Sequence, residues 1–542
     1  MSSRRASILI ALGLSSAWLL FATLPYLGDY PIPGWSEMGI AAPAYKLASQ
    51  GVYGNDLFTG FYGSEERNYE YMPAYPLLVA ASFAIFGPGM VQARAVSVAC
   101  ALLVVLLTYA VGRRLFDAAV GVVAAALLVG MRLGLVPGTS GVPLLDFARD
   151  VRYDILVPVF VLASSLTFLA AMSPDPRRSQ PDGAGLRRSG GWLFAAGVLA
   201  GLATLAHVYG AFILAPFAAT ILLLDGSPAS RLRSLLQIAV GWLVAMLPWA
   251  LYVARDWQAY LGQMSRHEGR FDVLSPSFYL DNLMREVWRY GSWSGGSWSS
   301  AFLQPRVGIW LFLLGAPAAT VVLWRRARAG RSATDLFILS SLPTLALLLG
   351  LLIDVKRYVY VLLLLPFISL FVAVALVETF RRPGRLRTLR RAAVVVVGLL
   401  AALEAGAGVA ANLRAAAATT PYREVASELR GVVPAGARVL LSQTYWLAFA
   451  DYETRSINLA LQLSRGRRVA DAMADIAAGY MVVETYFLDP DSDDPRVIDR
   501  TARFFPWFHE LAAFRSSHCP TVLLVLDDSH YGEIAVYRCS EE

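Results

Sequence analysis

The sequence has little charge for its length. Only 16% of its 542 residues are Asp, Glu, Lys or Arg, whereas 56% are hydrophobic. Soluble globular chains carry about 25% charged residues, so this composition predicts a membrane protein rather than a series of soluble domains. Lysine is nearly absent: only Lys46 and Lys356 occur, and the net charge of +7 therefore comes from arginine. The arginines are scattered between apolar runs instead of gathering on one face, which argues against a nucleic-acid partner.

Cysteine is scarce as well, and a cleavage site for a leader peptide is missing. Cys100, Cys519 and Cys539 have no spacing typical of a zinc or redox site. The first apolar run, at 7–27, follows Arg4 and Arg5 and has no small-residue cleavage site after it. Because the run is long enough to cross a bilayer, we expect it to remain as a membrane anchor.

Long apolar runs are what the sequence has in abundance. A run of roughly 17 to 22 residues can cross about 30 Å of hydrocarbon. Eleven such runs lie at 7–27, 92–112, 117–136, 152–172, 191–207, 208–225, 234–254, 306–324, 335–353, 357–378 and 392–411. A further apolar stretch at 73–86 is shorter and is bounded by prolines and glycines, which favours an interfacial or re-entrant segment.

The arginine clusters test this choice of spans, because cytoplasmic loops are enriched in Lys and Arg. With 73–86 left out of the crossings, the arginine clusters at 4–5, 113–114, 177–188, 231–233, 325–331 and 381–391 all fall on the cytoplasmic side, whereas counting it as a crossing puts most of them outside. We therefore predict a multi-pass protein of the bacterial inner (plasma) membrane, with a cytoplasmic N-terminus. The expected parts are a transmembrane module at 1–411, with outward loops at 28–91 and 255–305, and an extracytoplasmic domain at 412–542.

The C-terminal part differs from the rest in pattern. Short apolar runs alternate with helical stretches there, which predicts a small soluble α/β domain. A hairpin centred on Ser529 would set Thr521 opposite Tyr537 and Cys519 opposite Cys539, where an oxidising compartment permits a disulfide. A register shift of one residue would remove that geometry. The predicted strands lie at 439–441, 481–483, 522–526 and 534–537.

Two acidic sites lie at the outward ends of predicted spans. Glu37 stands at the start of a short helix, whose N-terminus favours the charged, base-competent form of a carboxylate. Acids are also common in first turns, so an ordinary structural role stays open. Asp154 is the deepest of four charges within 149–154, which are costly to place against lipid. These four residues either face a polar site or form a solvated cap at the interface.

Several motifs recur together in an order that resembles a known family. They are the outward acid after the first span, the Tyr-Met-Pro-Ala-Tyr-Pro-Leu run at 71–77, Gly-Arg-Arg-Leu-Phe at 112–116 and Ala-Arg-x-x-Arg-x-Asp at 148–154. This set resembles the GT-C membrane glycosyltransferases, in particular the protein O-mannosyltransferases and lipid A aminoarabinose transferases. The resemblance covers about residues 7–380. It implies a GT-C-like polytopic α-helical fold of about eleven transmembrane helices.

The resemblance also implies an inverting transfer of a sugar from a polyprenyl-phosphate donor. Glu37 and Asp154 match the family's acids, the first as the base and the second as its partner. The family usually has Asp-Glu where this chain has Ser36-Glu37. The chemistry agrees, because a hydroxyl that attacks an anomeric carbon needs a carboxylate to take its proton. The departing phosphate needs positive charge nearby.

Lys356 and Arg357 are the best candidates for that positive charge. They form a basic pair in a short loop that the topology places outside, and an anion site explains the exception. Arg152 and His207 are further candidates, although a lone His at a turn is more often structural. The candidates for substrate binding are aromatic residues, which stack on sugar rings or anchor the interface, and one cation: Tyr71, Tyr75, Trp293, Trp298 and Arg270.

Three functions stay open at this point. The first is a cell-envelope enzyme, a glycosyltransferase that uses a polyprenyl-phosphate sugar donor and acts on a glycan, lipid or protein acceptor in contact with the lipid bilayer. The second is a transporter or flippase for a lipid-linked saccharide, which would use the same aromatics and anion site without bond formation. The third is a non-catalytic scaffold that presents the α/β domain. The family is mixed in its use of a divalent metal, and two acids do not specify one.

Overall fold

The protein is mostly α-helical and carries one small sheet near its C-terminus. The computed structural model describes residues 3–134, 139–172, 190–224, 226–267, 272–291, 306–330, 332–463, 469–488 and 508–540. Apolar runs become helices because a helix satisfies its backbone hydrogen bonds internally where water is absent. The α-helices are Ser3–Thr23, Trp35–Gln50, Ala74–Phe86, Met90–Leu115, Ala118–Gly130, Pro143–Ala148, Leu156–Ala171, Gly190–Ala206, Leu214–Leu223, Pro228–Ala254, Trp257–Met264, Pro276–Gly291, Val307–Gly330, Ala333–Leu352, Val361–Arg381, Arg387–Ala418, Tyr422–Gly431, Ile457–Leu463, Val469–Ile476 and Phe508–His518.

Eight helices in the described ranges are long and apolar enough to cross a membrane. Three other predicted spans coincide with shorter apolar helices, Ala118–Gly130, Gly190–Ala206 and Val208–Leu223. The stretch predicted to lie at the interface is the helix Ala74–Phe86, which has 13 residues, as many as Ala118–Gly130. The eight long helices are Ala6–Thr23, Met90–Leu115, Tyr153–Ala171, Pro228–Ala254, Val307–Arg328, Ala333–Leu352, Tyr358–Arg381 and Arg387–Gly431.

One helix forms the centre of the membrane part. In an apolar stretch of 18 residues, 89% of the residues are buried within the protein for Tyr358–Arg381, but only 22% for Ala6–Thr23 and for Pro228–Ala254. A helix that is apolar on every side and packed on every side belongs to an interior. The outer helices instead present apolar side chains to their surroundings, as lipid-facing helices do.

Glycine sets the close packing of two consecutive helices. A Cβ atom on Gly112 would lie 2.7 Å from Cα of Gly121, so any larger residue would push Met90–Leu115 away from Ala118–Gly130. Small residues at such contacts are typical of membrane helices, because they let backbones approach closely. The side chain of Asp117 caps the second helix by accepting hydrogen bonds from the amides of Ala119 and Val120.

The C-terminal part contains a five-stranded mixed sheet in the order β2-β1-β3-β5-β4. Its strands are β1 (Arg438–Leu441), β2 (Glu453–Ser456), β3 (Tyr480–Glu484), β4 (Thr521–Asp528) and β5 (Gly532–Arg538). β1 is parallel to β2 and β3, whereas β5 is antiparallel to β3 and β4. Strands form at all four predicted positions. β2 was not predicted, because its sequence Glu-Thr-Arg-Ser has no apolar alternation.

The terminal hairpin differs from its predicted register. Thr521 pairs with Arg538 and Val522 with Tyr537, one residue away from the predicted pairing of Thr521 with Tyr537. A bulge between Val522 and Leu524 takes up an extra residue in β4. No sequence pattern predicted this bulge. Cys519 and Cys539 lie just outside the paired residues and form a disulfide.

The sheet is held against the membrane part by contacts with the first outer segment. The indole Nε1 of Trp35 donates to Ser442 Oγ at 2.9 Å, and the Trp35 ring stacks on Phe487 with centroids 5.3 Å apart. The amide of Tyr422 donates to Asp29 Oδ1 at 3.1 Å. These contacts bring the start and the end of the chain together above the transmembrane helices.

Candidate active site

A cavity of about 480 Å³ lies between the membrane part and the C-terminal sheet. Six separate regions of the chain contribute to its wall: the first outer segment, Tyr153, the turn at His207, the segment 249–267, the segment 353–360 and the C-terminal part. Concave sites with a mostly aromatic wall and a few polar groups are typical of small-ligand binding. The polar and charged lining residues include Ser36, Glu70, His207, Asp354, Arg357, Gln443 and Asn458.

Arg357 is the cation of this cavity. It is exposed and shortly precedes the helix Val361–Arg381, and Asp354, which also lines the cavity, pairs with Arg285 at 2.7 Å. In the part of the chain that the structure describes, the Arg357 guanidinium makes no hydrogen bond or ion pair. A guanidinium that lines a cavity without an acid partner is suited to bind a carboxylate or phosphate.

Lys356 does not share the predicted role of its neighbour. Its ammonium pairs with Glu286 at 2.9 Å and donates to the carbonyl of Gly350 at 2.8 Å, and the residue is buried outside the cavity wall. The two basic residues are adjacent in sequence but point to different surroundings. This geometry favours a structural role for Lys356 instead of the predicted phosphate contact.

His207 lies in the cavity wall as a neutral residue. Burial lowers its pKa to about 4, so the imidazole carries no charge near neutral pH. Its Nδ1 accepts a hydrogen bond from the amide of Tyr209 at 3.4 Å, which leaves the proton on Nε2. The ring stacks on Tyr153 with centroids 5.2 Å apart and also packs near Tyr360. His207 can therefore donate a hydrogen bond but cannot act as a second cation.

Asp154 is buried behind the cavity wall. It accepts from Arg152 Nε at 3.2 Å and from the Tyr209 hydroxyl at 2.9 Å. Arg152 also donates to Ser36 Oγ at 3.0 Å, and Ser36 lines the cavity. Asp154 therefore holds Arg152 and Tyr209 in place. The predicted phosphate ligand Arg152 has its charge compensated by an acid, unlike Arg357.

Glu37 is also buried, and all of its acceptor positions are used. Arg94 Nε and Nη2 donate to its two oxygens at 3.0 and 2.9 Å, and the amides of Gly34 and Val151 each donate at 2.8 Å. Burial raises the pKa of Glu37, but the charge and hydrogen bonds of Arg94 outweigh it and hold the pKa below its usual value. Glu37 is not part of the cavity wall. This geometry favours a structural ion pair in place of the predicted base.

A second acid shares the environment of Glu37. Asp150 lies close enough to Glu37 for the charges of the two carboxyl groups to interact. Burial, and then the negative charge of Glu37, raise the pKa of Asp150 well above its usual value. Asp150 is therefore the protonated member, and Glu37 remains the anion that Arg94 requires.

The predicted substrate-binding residues separate into three groups. Tyr71 lines the cavity. Tyr75 does not line the cavity, because it is fully buried and its hydroxyl lies 2.6 Å from Ser97 Oγ, a geometry that favours a packing role. Trp293, Trp298 and Arg270 lie outside the described residues.

Glu70 is the acid that sequence reasoning passed over. It lines the cavity and is half-buried, between Tyr69 and Tyr71, which line the cavity too. The signal was present in the run Tyr-Glu-Tyr-Met-Pro, where an acid stands among interfacial aromatics. Nothing in the pattern marked it above Glu37, which has the favourable helix N-terminus. Among the described residues, no group of three or more His, Cys, Asp or Glu side chains could hold a metal ion.

The helical membrane part and the C-terminal sheet together have the fold of solved GT-C glycosyltransferases. Residues 71–252 match the family of dolichyl-phosphate-mannose-protein mannosyltransferases. The resemblance that the sequence motifs indicated and the polytopic α-helical fold are thereby confirmed. No curated protein sequence matches the chain.

Three solved structures illustrate the likeness. ArnT from Cupriavidus metallidurans bound to undecaprenyl phosphate aligns with a TM-score of 0.60 at 14% identity, over 98% of both chains. The oligosaccharyltransferase AglB from Archaeoglobus fulgidus, in complex with an inhibitory peptide and a dolichol-phosphate, aligns with a TM-score of 0.57 at 13% identity, over 100% of this chain and 75% of that chain. The arabinofuranosyltransferase AftD from Mycobacteria aligns with a TM-score of 0.54 at 16% identity, over 99% of this chain and 40% of that chain.

Proposed function

We propose that this protein transfers a sugar from a polyprenyl-phosphate donor to a hydroxyl of an acceptor. The observation that carries the proposal is the combination of Arg357, a cation without an acid partner in the described structure, and Glu70, a carboxylate, in one cavity. Relatives with the same fold support the choice of donor, because ArnT binds undecaprenyl phosphate and AglB binds a dolichol-phosphate.

Arg357 binds the phosphate of the donor. The leaving group of the reaction is a lipid phosphate, and a fixed positive charge stabilises the negative charge that develops on it. A guanidinium can contact two phosphate oxygens at once. Neutral His207 supplies a further hydrogen-bond donor in the same wall.

Glu70 takes the proton of the attacking hydroxyl. The hydroxyl oxygen bonds to the anomeric carbon, the bond from that carbon to the phosphate oxygen breaks, and the phosphate departs with the electron pair. The proton moves to the Glu70 carboxylate. A single displacement of this kind inverts the anomeric configuration. Asp154 acts as a positioning residue through Arg152, whereas Glu37 stabilises the fold through its ion pair with Arg94.

The outer face of a bacterial inner membrane is the proposed location. The arginine-rich loops fall on the opposite side from the cavity when the eleven predicted spans are threaded in order. The Cys519–Cys539 disulfide agrees with this location, because disulfides persist outside the reducing cytoplasm. The acceptor is a glycan, lipid or protein of the envelope.

Measuring the release of polyprenyl phosphate distinguishes a sugar transferase from a flippase for lipid-linked saccharides. The purified protein in lipid nanodiscs is given undecaprenyl-phosphate mannose, glucose or arabinose together with extracted envelope glycans, lipids and proteins. We expect free undecaprenyl phosphate to appear with at least one sugar, together with a labelled acceptor. A protein that moves the same lipids across vesicle membranes without releasing undecaprenyl phosphate would be a flippase.

A further inference from the structure

The C-terminal part contributes two amide side chains to the cavity. Gln443 and Asn458 both line it, and Gln443 is only 4% exposed. Asn458 Nδ2 donates to Gln443 Oε1 at 3.1 Å, so the two amides form a linked pair. This bond fixes the orientation of both groups: Gln443 presents its Nε2 donors, and Asn458 presents its Oδ1 acceptor.

The sheet topology explains why these two residues meet. Gln443 follows β1 and Asn458 follows β2, and these neighbouring strands are parallel, with Leu441 paired to Ser456. The carboxyl ends of parallel strands lie at one edge of a sheet, where open α/β sheets bind their ligands. The side chain of Ser442, between β1 and Gln443, holds Trp35 at 2.9 Å and so ties this edge to the first outer segment.

The hydrogen-bonding capacity of the pair is not used up within the protein. Over the residues that the structure describes, Gln443 Nε2 makes no hydrogen bond and Asn458 Oδ1 accepts none. Neither atom is among the fully buried unpaired polar atoms of the described residues, so both remain accessible to a ligand. A ligand in the cavity would satisfy a donor and an acceptor side by side.

We propose that Gln443 and Asn458 form a subsite that recognises the hydroxyl groups of a carbohydrate. A hydroxyl both donates and accepts, so adjacent hydroxyls of a sugar ring match an amide donor next to an amide acceptor. The inference rests on the proposed sugar transfer and deepens it by assigning selection of the sugar to the C-terminal part. The carbohydrate is either the sugar on the donor lipid or a sugar of the acceptor.

The test compares undecaprenyl phosphate with the undecaprenyl-phosphate sugar that the wild type uses. Gln443→Met and Asn458→Leu keep side-chain volume but remove the hydrogen bonds, and Glu428→Gln, on an exposed face of the same part of the chain, is the control. Binding to protein in nanodiscs is measured for both lipids, and the KM for the acceptor is measured alongside. Thermal unfolding verifies that each variant is folded.

If the subsite holds the donor sugar, each variant binds the sugar-loaded lipid about 10-fold more weakly, as the loss of one hydrogen bond predicts, and binds bare undecaprenyl phosphate as before. If it holds an acceptor sugar, both lipids bind normally and the acceptor KM rises about 10-fold. Equal loss of both lipids, or no change in any of the three constants, overturns the inference. Failure of the proposed function is distinguishable, because the wild type itself would then release no undecaprenyl phosphate.

Discussion

Glu37 and Arg94 form an ion pair with two hydrogen bonds inside the protein, from Arg94 Nε to Oε1 at 3.0 Å and from Nη2 to Oε2 at 2.9 Å. Both residues are buried. Arg94 also donates to the carbonyls of Leu27 and Pro31 at 3.0 and 2.7 Å. The pair therefore fixes the path of the chain as it leaves the first helix and enters the helix that carries Trp35.

Removing the charge of Glu37 should destabilise the protein. Glu37→Gln leaves the buried guanidinium of Arg94 without a counter-ion, and breaking a buried pair costs about 3 to 5 kcal/mol. We expect a clear fall in the unfolding temperature in detergent, with activity lost only as far as folded protein is lost. Glu66→Gln, an exposed acid of the same segment, is the control. An unchanged unfolding temperature with abolished turnover would restore Glu37 as the catalytic base.

Asp150→Asn should be tolerated and should change the pH dependence of stability. Folding raises the pKa of Asp150 above its usual 3.8, so above that pH the folded protein holds a proton that the unfolded chain has released. Asp150 therefore makes the free energy of unfolding fall as the pH rises through this window. Asparagine has nearly the same size as aspartate and does not titrate. We expect the variant to gain stability relative to the wild type as the pH rises above 3.8, and a parallel pair of curves would contradict this assignment.

Local sequence patterns predict the helices of this protein but not the contacts between segments that are distant in the chain. Apolar runs gave the helices of the membrane part, because length and hydropathy are local properties. The same reasoning placed Glu37 at a helix N-terminus, where it is found. It could not reveal that Arg94, 57 positions later, occupies both carboxylate oxygens. Contacts between distant segments, which also separate Lys356 from Arg357 and satisfy Tyr75, depend on packing that no local pattern encodes.

Glu70→Gln should abolish most of the turnover without preventing donor binding. The amide cannot accept the proton of the attacking hydroxyl, and general-base help is worth roughly 10²- to 10⁴-fold. We expect kcat to fall by at least about 100-fold, while the affinity for undecaprenyl phosphate changes little. Release of undecaprenyl phosphate is the measurement, with Glu66→Gln again as the matched acid. Turnover within about twofold of the wild type would remove Glu70 from the mechanism.

The neighbours Lys356 and Arg357 should respond differently to the same substitution. Arg357→Gln removes the cation that lines the cavity, and we expect undecaprenyl phosphate to bind roughly 10- to 100-fold more weakly, with normal thermal stability. Lys356→Gln leaves Glu286 with Arg289 as its remaining ion-pair partner and should lower the unfolding temperature while retaining lipid affinity in folded protein.

Direct binding of undecaprenyl phosphate and thermal unfolding separate the two effects. Arg423→Gln, an exposed arginine far along the sequence, controls for the loss of one positive charge. Equal lipid affinity in the Arg357 variant and the wild type would place the phosphate elsewhere.

The pairing of β3 has a consequence for the time at which the site is assembled. β3 lies between β1 and β5, and β5 is made after β1, β2 and β3 because it follows them in the chain. The segments that carry Glu70 and Arg357 both precede the sheet, so they are synthesised first. The part of the cavity wall that Gln443 and Asn458 contribute therefore gains the support of β5 only after the helices of the membrane part have been made.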